Sequence, residues 1–200
     1  MHSSSVIRFA LGALALAAAT ITPLLGQERA PLSLTGATIT LAGTSNLHDY
    51  TASTTSVRVT KLQVAPGADL ASLIKPGTVQ AFEIAIPAAS LHSTRDGLDK
   101  NMHKALKAKD FPEIVFTLSR LESRAAGLRA IGVLKIAGVE KEVGFDITTA
   151  TRTGSVVVSG AVDLLMTDFG IPAPKAVMGM LKTDPKVTIS FETTLSTPLT

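Results

Sequence analysis

There is no cysteine in this chain of 200 residues, no tryptophan and a single tyrosine, and charged residues make up only 18% of it. Without cysteine there is no disulfide, no thiolate metal ligand, no thiol nucleophile and no acylated N-terminal cysteine of a lipoprotein. A chain that lacks such staples depends on its core, and this one is long enough to bury one. The formal charge is only +3, and the basic residues are scattered apart from Lys100, Lys104, Lys107 and Lys109. That leaves no electrostatic footprint for nucleic acid. Enzyme signatures are missing as well: there is no G-x-S-x-G elbow, no H-E-x-x-H and no glycine-rich phosphate loop. The "DFG" at 168–170 stands without any other part of the kinase set.

Long apolar runs are confined to the N-terminus. "MHSSSVIRFALGALALAAATITPLLG" carries one charge, Arg8, then an apolar run from Phe9 and the small residues Ala17-Ala18-Ala19. This is the pattern of a cleaved secretory signal peptide, read here over 1–26, with one domain over 27–200 and a periplasmic or secreted destination. Removing Arg8 leaves the remainder at +2.

What is present is alternation. "AFEIAIPA" sets Phe82, Ile84 and Ile86 on one face, and "EIVFTLSR" does the same with Ile114, Phe116 and Leu118. "EVGFDIT" aligns Val143, Phe145 and Ile147, and "KVTISFETT" aligns Val187, Ile189 and Phe191. A period of two with one apolar face marks half-buried antiparallel strands. Further strands are expected over 33–43, 49–64, 128–136, which carries Leu134, and 155–166, which carries Leu164. "IAGVEKEV" provides a tight hairpin connection between 128–136 and 141–150. Pro66-Gly67 and Pro76-Gly77 bracket a short segment, 68–75, with the length of a helical turn. About eight antiparallel strands in one domain must close into a barrel or pack as a sandwich.

One segment breaks the alternation. Over about 98–108, Leu98, Met102 and Leu106 recur every four residues and form one apolar stripe, with Lys100, Lys104 and Lys107 off it. This predicts an amphipathic helix on the strands. Asp96 or Asp99 is placed to cap it, and Pro112 to end it.

Three histidines follow the leader: His48, His92 and His103. Their spacing fits no zinc pattern, so no metal and no cofactor is expected. His103 flanks the apolar stripe, which suits boundary packing. His48 sits in "GTSNLHDY", where it either ties down a loop or faces a ligand. Arg95 in "SLHSTRD" offers planar donors to a phosphate or quinone oxygen, or else pairs with Asp96 or Asp99.

The order of the pieces is more specific than any one of them. "LAGTSNLHDY", "SLHSTRDGLDKNMHKALKAKDFPEIVFTLS", "GVLKIAGVEKEVGFDIT", "DFGIP" and "KVTISFETTL" follow one another. This series, over about 33–197, resembles the YceI-like family of exported bacterial proteins. It departs from the family pattern at Asp110-Phe111-Pro112, where no residue separates Asp from Phe. The resemblance implies an all-β fold, an elongated antiparallel eight-stranded lipocalin-like barrel with an apolar tunnel, and the short helix packed against it. It implies a binding protein rather than an enzyme, holding a polyisoprenoid, an isoprenoid quinone or a similar long-chain lipid for transport, storage or sequestration.

The tunnel lining expected from the faces above is Phe82, Ile84, Ile86, Met102, Leu106, Ile114, Phe116, Leu118, Leu134, Val143, Phe145, Ile147, Leu164, Val187, Ile189 and Phe191. His48, Ser93 and Arg95 are the candidate headgroup contacts. The competing reading is a stress-response or interaction protein with a filled barrel, docking to a membrane or an electron-transport partner through the helix lysines. Transient contact with a membrane or membrane protein, and a monomer or homodimer, fit either reading.

Overall fold

The computed structural model describes residues 33–125, 127–173, 175–176 and 181–196, so the leader read over 1–26 lies outside the described residues. The alternating segments are strands: β1 (Ser33–Ser45), β2 (Tyr50–Thr54), β3 (Arg58–Val64), β4 (Val79–Pro87), β5 (Glu113–Arg124), β6 (Gly127–Ile136), β7 (Val139–Arg152), β8 (Ser155–Leu165), the two-residue β9 (Lys175–Ala176) and β10 (Leu181–Ser196). One helix, α1 (Asp96–Ala105), stands between β4 and β5.

The strands form one sheet in the order β2-β1-β10-β8-β7-β6-β5-β4-β3, with β9 paired to β10, and every pairing is antiparallel. The two edge strands, β2 and β3, are consecutive in the chain and run in the same sense, because eight antiparallel steps separate them. They are two halves of one stave, interrupted at 55–57. Its first half pairs with β1 and its second half with β4. Counted this way the curled sheet has eight main staves. A bridge between Ser53 and His92 and a 2.8 Å hydrogen bond between the hydroxyls of Thr54 and Ser90 tie β2 to the chain that follows β4. The sheet edge is thereby covered rather than left to pair with another molecule.

Local chemistry explains the turns. β6 and β7 are joined by Ala137-Gly138, both with positive φ (50° and 84°), as a two-residue hairpin of matching twist requires. The Phe111 ring lies over Gly138, where an added Cβ would come within 2.5 Å of it. The segment 66–77 holds turns rather than a helix, and Asp69 and Ser72 cap each other through side chain and backbone.

The helix differs from expectation at both ends. It spans 96–105 rather than 98–108, and Arg95 occupies the N-cap position without a side-chain capping bond. Neither Asp96 nor Asp99 caps it. Its stop comes well before Pro112. The N–H of Lys107 donates to the Lys104 carbonyl (3.1 Å) and that of Ala108 to the His103 carbonyl (3.0 Å), with Lys107 left-handed at φ 50°. This is a Schellman closure, which ends a helix by satisfying its last carbonyls. Pro112 instead offers its carbonyl to the N–H of Ala88 at 2.8 Å, which docks the start of β5 beside the end of β4.

A buried hydrophobic cluster lies at the end of the sheet where α1 sits. It consists of Ala88, Leu91, Leu106, Ala137, Leu164, Phe169, Ile171 and Val187, with Met102 and Ile114 packed against it. The strand ends and connections that meet there are the ends of β1, β4, β6 and β8 and the starts of β2, β5, β7 and β10. The opposite end is covered by the connection 65–78, which buries Leu73.

Candidate functional site

Between those two ends the interior is not filled. A cavity of about 570 Å³ runs inside the sheet, within the size range of small-molecule sites. Its wall includes Leu73 and Ile74 from the 65–78 connection and Leu98, Met102, Ala105 and Leu106 from α1, so it extends from one cover to the other. All sixteen residues expected to line a tunnel, from Phe82 to Phe191, contribute to this wall. The apolar stripe of α1 faces the cavity, and Lys100, Lys104 and Lys107 are exposed.

Other lining residues escaped the sequence reading. Leu34, Val57, Leu62 and Leu121 are among them. Leu34, Leu62 and Leu121 each lie beside a β-bulge of their own strand, between Leu34 and Gly36, between Val59 and Lys61, and between Leu118 and Arg120, and Val57 lies in the interruption between β2 and β3. A bulge inserts one residue and shifts the inward parity by one. Leu118 and Leu121 therefore both point inward although they differ by three. The signal in the sequence is the break in phase, "LSRL", after the clean run of Ile114, Phe116 and Leu118.

The bore stays open because of where the rings lie. Phe116, Phe145 and Phe191 form a belt, with centroids 5.5 Å and 5.4 Å apart. Two of these rings rest on inward-facing glycines of neighbouring strands. An added Cβ at Gly132 would meet the Phe116 ring at 2.6 Å and the Thr117 carbonyl at 2.4 Å. One at Gly160 would meet the Phe191 ring at 2.8 Å. Tyr50 lies over Gly43 in the same manner, its hydroxyl 2.3 Å from where a Cβ would be. A glycine under each ring lets the ring fold flat against the wall instead of crossing the lumen.

Polar groups gather at the α1 end. Ser45, His48, Tyr50, Arg95, Asn101 and Thr183 all line the cavity there, beside the exposed Leu47. The β1–β2 turn positions the first three. Ser45 Oγ donates to the His48 carbonyl at 2.7 Å and accepts the His48 N–H at 3.1 Å. Asn46 ties the same turn to β10, through its own N–H to the Lys182 carbonyl and the Lys182 N–H to its side chain. From the start of α1, Arg95 donates through Nη1 to His48 Nε2. The other ring nitrogen of His48, Nδ1, lies 3.3 Å from Ser45 Oγ. Burial, and secondarily the charge of Asp184, push the Tyr50 phenol above its ordinary value.

Of the three candidate headgroup contacts, His48 and Arg95 are brought together at this opening and Ser93 is not. Ser93 sits behind it, donating from its N–H (2.8 Å) and Oγ (2.6 Å) to Asp99, which also meets His92 Nδ1 at 3.1 Å. These bonds hold the Asp99 carboxyl down at about 2, the Ser93 bonds foremost. Arg95 pairs with neither Asp96 nor Asp99, because Asp99 is committed to Ser93 and His92. His103 bonds the Leu91 carbonyl through Nε2 at 2.8 Å and packs edge-on against His92, a boundary role. Among the described residues, no three His, Cys, Asp or Glu side chains gather as a metal-ligand set.

Comparison with known proteins adds the following. Residues 32–195 match the model of the YceI-like domain. No match was found among curated proteins. Among solved structures, BcnA of Burkholderia cenocepacia is similar at a TM-score of 0.62 and 14% identity, covering 79% of this chain and 95% of that one. A polyisoprenoid binding domain from Saccharophagus degradans, implicated in plant cell wall breakdown, is similar at a TM-score of 0.60 and 11% identity, covering 84% and 99%. At such identities the structural likeness speaks to the fold.

Proposed function

The chain belongs to the YceI-like domain family, and from that premise and its open interior we propose that it is an exported binding protein that holds a long apolar ligand, a polyisoprenoid or similar lipid, along the barrel axis. The observation that carries this reading is the cavity of about 570 Å³, walled by apolar side chains from the main strands and from α1. A chain laid along such a wall gains about 0.8 kcal/mol for each methylene buried, so several isoprene units bind firmly without strong polar contacts. The likeness to a polyisoprenoid binding domain from Saccharophagus degradans favours the same ligand class. The reading takes the role to be carriage, storage or sequestration rather than catalysis. Export follows from the leader read over 1–26, and N-terminal sequencing of protein recovered from the periplasm checks it.

The ligand reading is tested by titrating delipidated protein with an isoprenoid alcohol, geranylgeraniol, followed by calorimetry. Saturable one-to-one binding is expected, and Phe116→Arg, which puts a charge into the ring belt, should weaken it at least tenfold. Absence of binding by the folded wild type overturns the proposal. Unchanged binding by a folded Phe116→Arg variant overturns the placement of the ligand beside the belt.

A further inference from the structure

We infer that the lumen selects an amphiphile with an oxyanion headgroup, a carboxylate or a phosphate, and that Arg95 is the residue that recognises it. The inference rests on the lipid-binding reading and deepens it. Arg95 is the sole permanently charged side chain on the cavity wall among the described residues, and no carboxylate lines that wall. Its position is fixed by the fold: it precedes α1, whose stripe forms part of the wall, and it reaches across the opening to His48 on the β1–β2 turn. Only Nη1 is engaged there. Arg95 is exposed at the opening, and among the described residues its guanidinium forms no other bond and no salt bridge. Asp99, in the first turn of α1, is tied to Ser93 and His92.

A planar fork with spare donors suits the paired oxygens of a carboxylate or phosphate. The Tyr50 hydroxyl, over Gly43 on the same rim, and the Asn101 amide add neutral donors. Three acidic residues lie close: Asp49 and Asp96, sequence neighbours of the rim residues, and Asp184, whose charge reaches Tyr50. None of them lines the lumen. An amphiphile whose tail fills the apolar bore thus presents its head to a single cation backed by neutral donors. An ammonium head would meet that cation unfavourably, and a plain alcohol would forgo the charge-assisted bonds.

The test is calorimetric titration of delipidated full-length mature protein with four probes that share one tail: hexadecanoate, hexadecyl phosphate, hexadecanol and hexadecylamine. The two anions are expected to bind about tenfold or more tighter than the alcohol, as charge-assisted hydrogen bonds imply, and the amine weakest. Which anion leads separates a fatty-acid source from a lipid-phosphate source. Arg95→Gln should lose the preference for anions over the alcohol. Arg95→Lys should keep part of it, since the charge remains and the fork is lost. A wild type that binds alcohol and anions equally, or an Arg95→Gln variant that retains the preference, overturns the inference while leaving the lipid reading intact. A wild type that binds none of the four overturns both. If Arg95→Gln does not fold, the Lys variant decides, an unchanged preference being the contrary result.

Discussion

Asp99 shows how a single side chain prepares the opening without touching it. Its carboxylate gathers the Ser93 N–H and hydroxyl and the His92 ring, fixing the chain that leads into α1 and leaving Arg95 unpaired by any acid. Its carboxyl is held at about 2, below the ordinary value of 3.8. A depressed folded pKa stabilises the fold fully above the ordinary value, and that contribution fades as pH falls toward the folded value. Melting curves between about pH 5 and 2 should therefore show the wild type losing its advantage over Asp99→Asn across roughly pH 4 to 2. Parallel curves over that window would contradict the assignment. This arrangement was not legible in the sequence. The sequence places Asp96 or Asp99 to cap the helix, but whether Asp99 caps α1 or gathers Ser93 and His92 is decided by tertiary geometry. The meeting of His48 with Arg95, 47 positions apart, was equally hidden, because only the folding of the β1–β2 turn against the start of α1 brings them together.

At the scale of elements, the bore depends on strands that alternate bulk with its absence. Gly132 on β6 gives Phe116 of β5 a seat, and Gly160 on β8 gives one to Phe191 of β10. Gly132→Ala would place a Cβ within 2.4 Å of a backbone carbonyl, so the sheet itself must shift. A cost of about 1–3 kcal/mol is expected, typical of overpacking, measured by denaturant unfolding, together with weaker lipid binding as the ring is pushed toward the axis. A variant as stable as the wild type and equal in binding would show that the seat has no role. The inward faces themselves were legible wherever a strand keeps its phase, as β7 and the second half of β10 do. Phase is lost at the bulges, which hides Leu34, Leu62 and Leu121, and Val57 lies where the stave is interrupted. The stretch 49–64 reads as one strand in the sequence, whereas the structure breaks it at 55–57 into β2 and β3, two halves of one stave. What the sequence concealed is that the stave changes partner midway, from β1 to β4, since nothing in "STTSV" distinguishes a partner switch from continuous pairing. The helix was found from its stripe, but its stop was assigned to Pro112 because a Schellman closure at Lys107 lacks the usual glycine.

For the whole molecule, the absence of cysteine and tryptophan and the presence of covers at both ends tell one story. Stability comes from a sheet wrapped on itself and from a packed cluster beneath α1, while the middle of the barrel is left unfilled. A small unstapled domain does not leave such a volume empty without cost, since lining atoms without partners lose their dispersion contacts. A bound apolar chain would supply those contacts and raise the stability of the folded state by mass action. The most direct measurement is native mass spectrometry of protein recovered from its own compartment without added lipid, followed by solvent extraction. The account predicts a mass above that of the mature polypeptide and the release of one long-chain lipid per protein, with a lower melting temperature after extraction. A mass equal to the bare polypeptide, no extractable lipid and an unchanged melting temperature would contradict it.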